Sequence, residues 1–131
     1  MEEIKLQTER RTQLIDITDR VRDALNGESG SALLVYVPHT TAAVTINEKI
    51  DPVLVEDLER AFEQVVGDDW GWRHDDKDGP NGPSHGRASM AGAQVLIPLR
   101  DGELALGRYQ AIFLCEFDGP KPRSVYVSVL Q

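Results

Sequence analysis

The run Ser31 to Pro38, SALLVYVP, constrains this chain most. It is apolar at successive positions and rich in residues that favour extended backbone, so it reads as a strand. A strand that is apolar on both faces belongs at the centre of a sheet, with cover on each side. The chain must therefore supply packed layers around it. At 131 residues it has the common size of one domain, and residues 1–131 read as a single unit with one core.

The rest of the chain supplies those layers. Residues 3–8 (EIKLQT) alternate apolar and polar, and residues 13–17 (QLIDI) form a second, short strand. Thr18 offers an N-cap for a helix through Leu25, which Asn26-Gly27 ends. Ala43 to Asn47 resumes extended character. Asp51-Pro52 starts a second helix, a capping carboxylate followed by proline at the first helical position. Val53, Leu54, Leu58, Ala61, Phe62 and Val65 follow at helical spacing and predict its buried face; Gly67 closes it. Ala88 to Gly92 reads as a helical turn. Gln94 to Leu99 is a strand, with Pro98 marking an edge or bend, and Asp101-Gly102 is a hairpin turn. Leu104 to Phe117 is a long strand region broken at Gly107 by a bulge. After the turn at Asp118-Gly119-Pro120, Ser124 to Leu130 closes the sheet. The expected fold class is α+β: a mostly antiparallel sheet or sandwich with two main helices packed on it.

Between Gly67 and Arg87 the chain has no period. This stretch, GDDWGWRHDDKDGPNGPSHGR, is rich in glycine and proline and holds both tryptophans. Structureless segments of that length are uncommon in a compact domain unless they carry function. Tryptophan brings apolar area that an unfolded segment would leave wet, so the stretch reads as an ordered functional loop.

Two of the chain's three histidines, His74 and His85, lie in that loop. The third, His39, emerges at the end of the central strand. Three imidazoles are a sufficient set of ligands for a divalent ion that keeps an open position for water or substrate. On spacing alone, three unrelated histidines are the favoured reading, since no HExxH or CxxC is present.

Carboxylates come next. Asp75 and Asp76 follow His74, and Glu48 follows a strand. Glu116 sits inside an apolar strand, where an acid needs a partner unless it faces solvent. Facing a site, Glu116 would orient a histidine or act as a general base, and Asp75 is a second candidate for moving a proton. Thr40, Thr41, Asn47, Asn81, Ser84 and Gln110 are ligand-binding candidates that also suit turns. Arg73, Lys77, Arg87, Arg108, Lys121 and Arg123 gather in the same loops and strand ends, and arginine suits bidentate phosphate contact.

Composition narrows the partners. The net charge of −8 disfavours nucleic acid and anionic membrane surfaces, although a local basic pocket for one phosphate is compatible with it. No apolar run approaches the roughly 20 residues a membrane-spanning helix needs, and MEEIKLQTERR lacks an export-signal pattern. Cys115 is the single cysteine, which suits a reducing compartment; the expectation is a cytoplasmic protein. A thiol inside an apolar strand is a poor nucleophile. No P-loop, dinucleotide fingerprint or serine elbow is present.

The run Pro38-His39-Thr40-Thr41-Ala42-Ala43-Val44-Thr45-Ile46-Asn47-Glu48 resembles the signature of the YjbQ family. The resemblance continues through Asp51-Pro52, His74, Asn81 with His85, Gly107-Arg108-Tyr109-Gln110, Cys115 to Pro120, and Arg123. Two departures stand out: a more glycine- and proline-rich stretch before His85, and Tyr109 where the family commonly has tryptophan.

The resemblance implies a compact α+β fold that assembles as a homotrimer. It implies a secondary thiamine-phosphate synthase activity, joining a pyrimidine diphosphate to a thiazole phosphate and expelling pyrophosphate. It also implies a metal-bearing site at His39, His74 and His85. Zinc or a similar ion suits imidazole ligands, whereas diphosphate chemistry normally uses magnesium on oxygen. The sequence therefore carries two functional readings. One is an enzyme for metal-assisted transfer or hydrolysis on a small phosphorylated metabolite. In it His39, Glu116 and Asp75 do the chemistry, and Thr40, Thr41, Asn47, Asn81, Arg108, Gln110 and Arg123 bind substrate. The other is a non-catalytic trimeric protein that binds a metal or a phosphometabolite.

Overall fold

The computed structural model describes residues 1–49, 51–75, 77 and 79–131. Among the described residues, eight strands and three helices follow in the order β1 (Glu2–Gln7), β2 (Gln13–Asp16), α1 (Thr18–Leu25), β3 (Ala32–Tyr36), β4 (Ala42–Glu48), α2 (Pro52–Val65), α3 (Gly82–Ala91), β5 (Gln94–Arg100), β6 (Glu103–Leu104), β7 (Gln110–Glu116) and β8 (Pro122–Leu130). They form two antiparallel sheets, ordered β1-β8-β3-β5-β6 and β2-β7-β4. The α+β expectation holds, with a third helix added.

The main core lies between the sheets. Leu33, Val35, Ile97, Val125 and Val127 of the five-stranded sheet meet Val44, Ile112 and Leu114 of the three-stranded one; Val21 and Leu25 of α1 join them. A second cluster covers the far side of the smaller sheet. There Ala43, Phe113, Cys115 and Phe117 pack against Val55, Leu58 and Phe62 of α2 and Ala88 and Ala91 of α3. β7 is therefore the strand buried on both faces, from Ala111 through Glu116.

This corrects the reading of Ser31 to Pro38. β3 is central in its sheet, but only its inward residues, Leu33 and Val35, are fully buried. On the outer face Leu34 is half-buried and Tyr36 is exposed. Among the described residues, no helix packs over that face as α2 and α3 pack over the other sheet.

Helix ends follow local chemistry, with two differences from expectation. Asp51 caps α2 by accepting from the Val53 N–H at 2.9 Å, and Pro52 follows it. At α1, however, Ile17 is the N-cap and Thr18 is the first helical residue. Asp16 supplies the capping oxygen instead, accepting from the Thr18 N–H at 2.9 Å. On α2, Val53 and Val65 are exposed, whereas Val55, Leu58 and Phe62 pack inward. The buried Glu59 takes a place on that face, where it accepts from the Leu14 N–H at 2.8 Å and a two-pronged contact from Arg10. Gly107 lies in a loop between β6 and β7, so the long strand region is two strands rather than one bulged strand.

The end of the expected irregular loop is helix α3. Its two glycines, Gly82 and Gly86, are where Trp72 packs: a β-carbon at Gly82 would lie 2.7 Å from the ring. Arg87 is fully buried behind it and donates to the carbonyls of Phe62, Glu63 and Val66, closing the C-terminal end of α2. This arginine, a phosphate-binding candidate by sequence, is a helix cap. Among the described residues no helix is long and apolar enough to cross a membrane.

Candidate functional site

The site forms where β3 leaves its sheet and α3 crosses the end of β4. Val37 donates to the Ala93 carbonyl at 2.8 Å, and Val44 donates to the Gly92 carbonyl at 3.1 Å, fixing the end of α3 against both sheets. At the start of α3, Asn81 donates to Asp118 at 3.0 Å and Ser84 donates to the Phe117 carbonyl. These ties hold the His85 segment of α3 beside the strand end that carries His39. The two line one cleft of about 470 Å³ with Thr40 and Ser89, floored by Ala42 and Ala88. The His74 ring stands edge-on to His85, with centroids 4.9 Å apart. The three histidines thus occupy one neighbourhood: His39 and His85 face the cleft, and His74 buttresses His85.

His39 is held by the main chain. Its Nε2 accepts from the Ser124 N–H at 2.9 Å. That bond uses the ring's lone pair, so the neutral imidazole carries its proton on Nδ1. Burial first, and the Arg123 charge second, hold its pKa below the ordinary value. A ring in this state offers a donor and has no lone pair left for a cation. Among the described residues, no three histidine, cysteine, aspartate or glutamate side chains are arranged to hold a metal ion. The arrangement of one chain does not fit the three-histidine metal site.

Glu116 is fully buried beside this site and is fully occupied. It accepts from Thr8 Oγ1 at 2.7 Å, from the Asp118 N–H at 3.0 Å, and from Arg123 through both Nε and Nη2, at 2.8 Å and 2.5 Å. Arg123 Nη2 also donates to Thr41 Oγ1 at 2.8 Å. β7 and β8 belong to different sheets, so this pair clamps the sandwich together. Glu116, Arg123 and Thr41 therefore tie the two sheets together near His39; among the described residues lining the cleft, none is a carboxylate or a strong base. Asp75 is exposed on the segment after Trp72, and Asp76 lies outside the described residues. Cys115 is buried, which pushes its thiol up to about 12 and leaves it unreactive.

The remaining substrate-binding candidates lie elsewhere. β4 runs from Ala42 at the cleft to Glu48, and its far end pairs with Gln110. Asn47, Arg108 and Gln110 sit at that end, about 20 Å from the cleft at the ordinary rise of a strand. There Asn47 accepts from the Glu48 N–H at 2.7 Å. Gln110 accepts from the Gly107 N–H at 2.7 Å and shapes a short loop. The Arg108 guanidinium lies 5.4 Å from the Tyr109 ring centroid, and both side chains are exposed.

Sequence reasoning missed Ser89, one turn after His85. The i, i+4 pairing would have revealed it had the segment been read as a helix. Nothing in the sequence pointed to the Ser124 N–H or to Thr8.

A family model described as UPF0047 protein YjbQ-like matches residues 2–131. The chain belongs to the YjbQ family. A UPF0047 protein of Archaeoglobus fulgidus is 41% identical over 128 residues, covering 98% of this chain and 99% of that one. The Bacillus subtilis UPF0047 protein YugU is 37% identical over 131 residues, covering 97% and 96%. A crystal structure of a YjbQ/UPF0047-family protein from Clostridium acetobutylicum superposes with a TM-score of 0.91 at 36% identity, covering 99% of this chain and 100% of that one. The sandwich with its flanking helices is thus a fold this YjbQ-family chain shares with solved relatives.

Proposed function

We propose that the His39–His85 cleft binds a small phosphorylated metabolite and that the chain acts there as a transferase of the thiamine-phosphate synthase kind. The observation that carries this reading is that His39 and His85 line one cleft with Thr40 and Ser89. Its size falls in the range of small-molecule sites. Imidazole N–H groups and hydroxyls are donors suited to phosphate oxygens. In the reaction, the bond from the pyrimidine methylene to the diphosphate breaks, and that carbon bonds to the thiazole nitrogen. Negative charge builds on the departing pyrophosphate. Donors fixed in advance, such as Nδ1–H of His39, stabilise that charge most. We place the protein in the cytoplasm as a homotrimer, the assembly the family resemblance implies.

A divalent ion, zinc or similar, enters this proposal only with His39 released from Ser124. Stoichiometric zinc in the purified protein, lost in His39→Ala, would reveal that rearrangement. The decisive assay incubates the protein with the two phosphorylated substrates and follows pyrophosphate release. The expected result is turnover that falls at least about tenfold in both His39→Ala and His85→Ala, as removal of charge-stabilising donors predicts. Turnover unchanged in both variants overturns the site.

The second reading, a phosphometabolite-binding protein without turnover, draws support from the described residues lining the cleft, none of which is a carboxylate. Saturable binding with no product would favour it. Sedimentation as a monomer at micromolar concentration would overturn the trimer.

A further inference from the structure

We infer that Arg123 is a positioning residue for His39: with the Ser124 N–H next to it, it grips the turn after β3 and keeps the imidazole a fixed hydrogen-bond donor. The inference rests on the phosphate-binding reading of the cleft and states which ligand chemistry the ring can serve. Three observations carry it.

The first is where the strand ladder stops. β3 pairs with β8 as far as Tyr36, which faces Tyr126. Continued in that register, the ladder would set Pro38 against Ser124, but β3 ends at Tyr36. A main-chain N–H at that point needs another partner. The His39 ring supplies it, accepting from Ser124 at Nε2 at 2.9 Å.

The second is the polarity of that bond. An imidazole that binds a metal gives its free lone pair to the ion and donates its other N–H to a carboxylate, carbonyl or water. Here the protein partner is itself a donor. The lone pair is spent on Ser124, and Nδ1 carries the proton. Any polar contact His39 makes with a ligand is therefore through an N–H. That suits the oxygens of a phosphate and gives a bare cation nothing to bind.

The third is a grip on the main chain of the same turn. Arg123 Nη2 donates to the Thr41 hydroxyl at 2.8 Å and to the Thr41 carbonyl at 3.2 Å. The Phe117 N–H meets that carbonyl as well, at 3.1 Å. Glu116 accepts from both Nε and Nη2 of Arg123, which fixes the plane of the guanidinium. Thr8 Oγ1 in turn holds Glu116. Positions 123 and 124 thus hold the 39–41 turn at two places, the ring through Ser124 and the backbone through Arg123. Arg123 is buried and is not among the described residues that line the cleft. Its effect on a ligand passes through His39.

The test reads the His39 tautomer directly, by long-range proton–nitrogen NMR correlation on the isotope-labelled full-length chain. The measurement is made at about pH 8, where a histidine of ordinary pKa is neutral. The native chain should show one form, with the proton on Nδ1. The other tautomer should appear in Ser124→Pro, which removes the N–H, and in Arg123→Lys, which keeps the charge and loses the fork. Thr8→Val is the mildest variant, since it removes only a hydroxyl behind Glu116. It should shift the tautomer in the same direction, and Thr8→Ser should restore it. In the pyrophosphate-release assay Arg123→Lys should lower kcat about tenfold and leave KM within about twofold, as displacement of a positioned donor predicts. A native ring protonated on Nε2, or a tautomer unchanged in all three disruptive variants, overturns the inference. A loss in Arg123→Lys that falls on KM alone also overturns it, because Arg123 would then be a substrate contact. If the tautomers behave as expected and the native chain neither binds nor turns over the phosphorylated substrates, the phosphate reading of the cleft fails while the positioning role stands.

Discussion

Replacing Glu116 with glutamine should destabilise the fold by roughly 3–5 kcal/mol, the range seen when one partner of a buried ion pair is removed. The arginine it leaves behind has no route to water, since both side chains are buried. Urea denaturation of the native chain and the variant measures the difference. His39 gives a second expectation. Burial and Arg123 hold its folded pKa below the ordinary 6.5. Below that pH the unfolded chain takes up a proton that the folded ring resists. The unfolded state then binds more protons, so stability falls as pH drops from about 6.5 toward the folded pKa. His39→Asn should flatten that part of the slope when urea midpoints are compared at pH 7 and pH 5. The histidines were legible as candidates because the chain has only three. The role of Glu116 was not, because its partner comes seven residues later on a strand of the other sheet. A carboxylate facing solvent, a cleft or an arginine looks the same in a line of letters.

At the scale of elements, the instructive case is α3. Its glycines and prolines read as loop, since glycine in a helix interior costs about 1 kcal/mol relative to alanine. Gly82 and Gly86 stand one turn apart and let the Trp72 ring lie against the helix. Tertiary packing therefore overrides propensity here, and periodicity carries no signal of it: apolar side chains do not mark the buried face. Gly82→Ala should improve local propensity and still destabilise the protein by about 1–3 kcal/mol, because the added carbon overlaps the indole. A thermal melt that rises would contradict this packing. The opposite case is α2, whose start was legible to the residue. Asp51 and Pro52 act through bonds to the next few residues, and such local chemistry survives any tertiary context.

For the whole molecule, the sequence conveyed the class of fold and the need for layers on both sides of β3. It could not convey that, among the described residues, only the inner side of β3 receives such a layer. The apolar outer residues of β3 and β5 are part of the same core-like pattern as the inner ones. Only the folded topology separates the face that α1 and the smaller sheet cover from the face left open. A further expectation follows from strand order. β7 is the middle strand of one sheet, and β8 lies between β1 and β3 in the other. A chain cut before residue 110 lacks both, and circular dichroism of that fragment should show an unfolded protein. The same order bears on how the chain is made. Its two sheets can only be threaded by segments that the ribosome releases late. The early two-thirds must wait, with their apolar strands unpaired, until β5, β7 and β8 have been made. Chaperone occupancy during translation should accordingly be set by the time taken to reach β8.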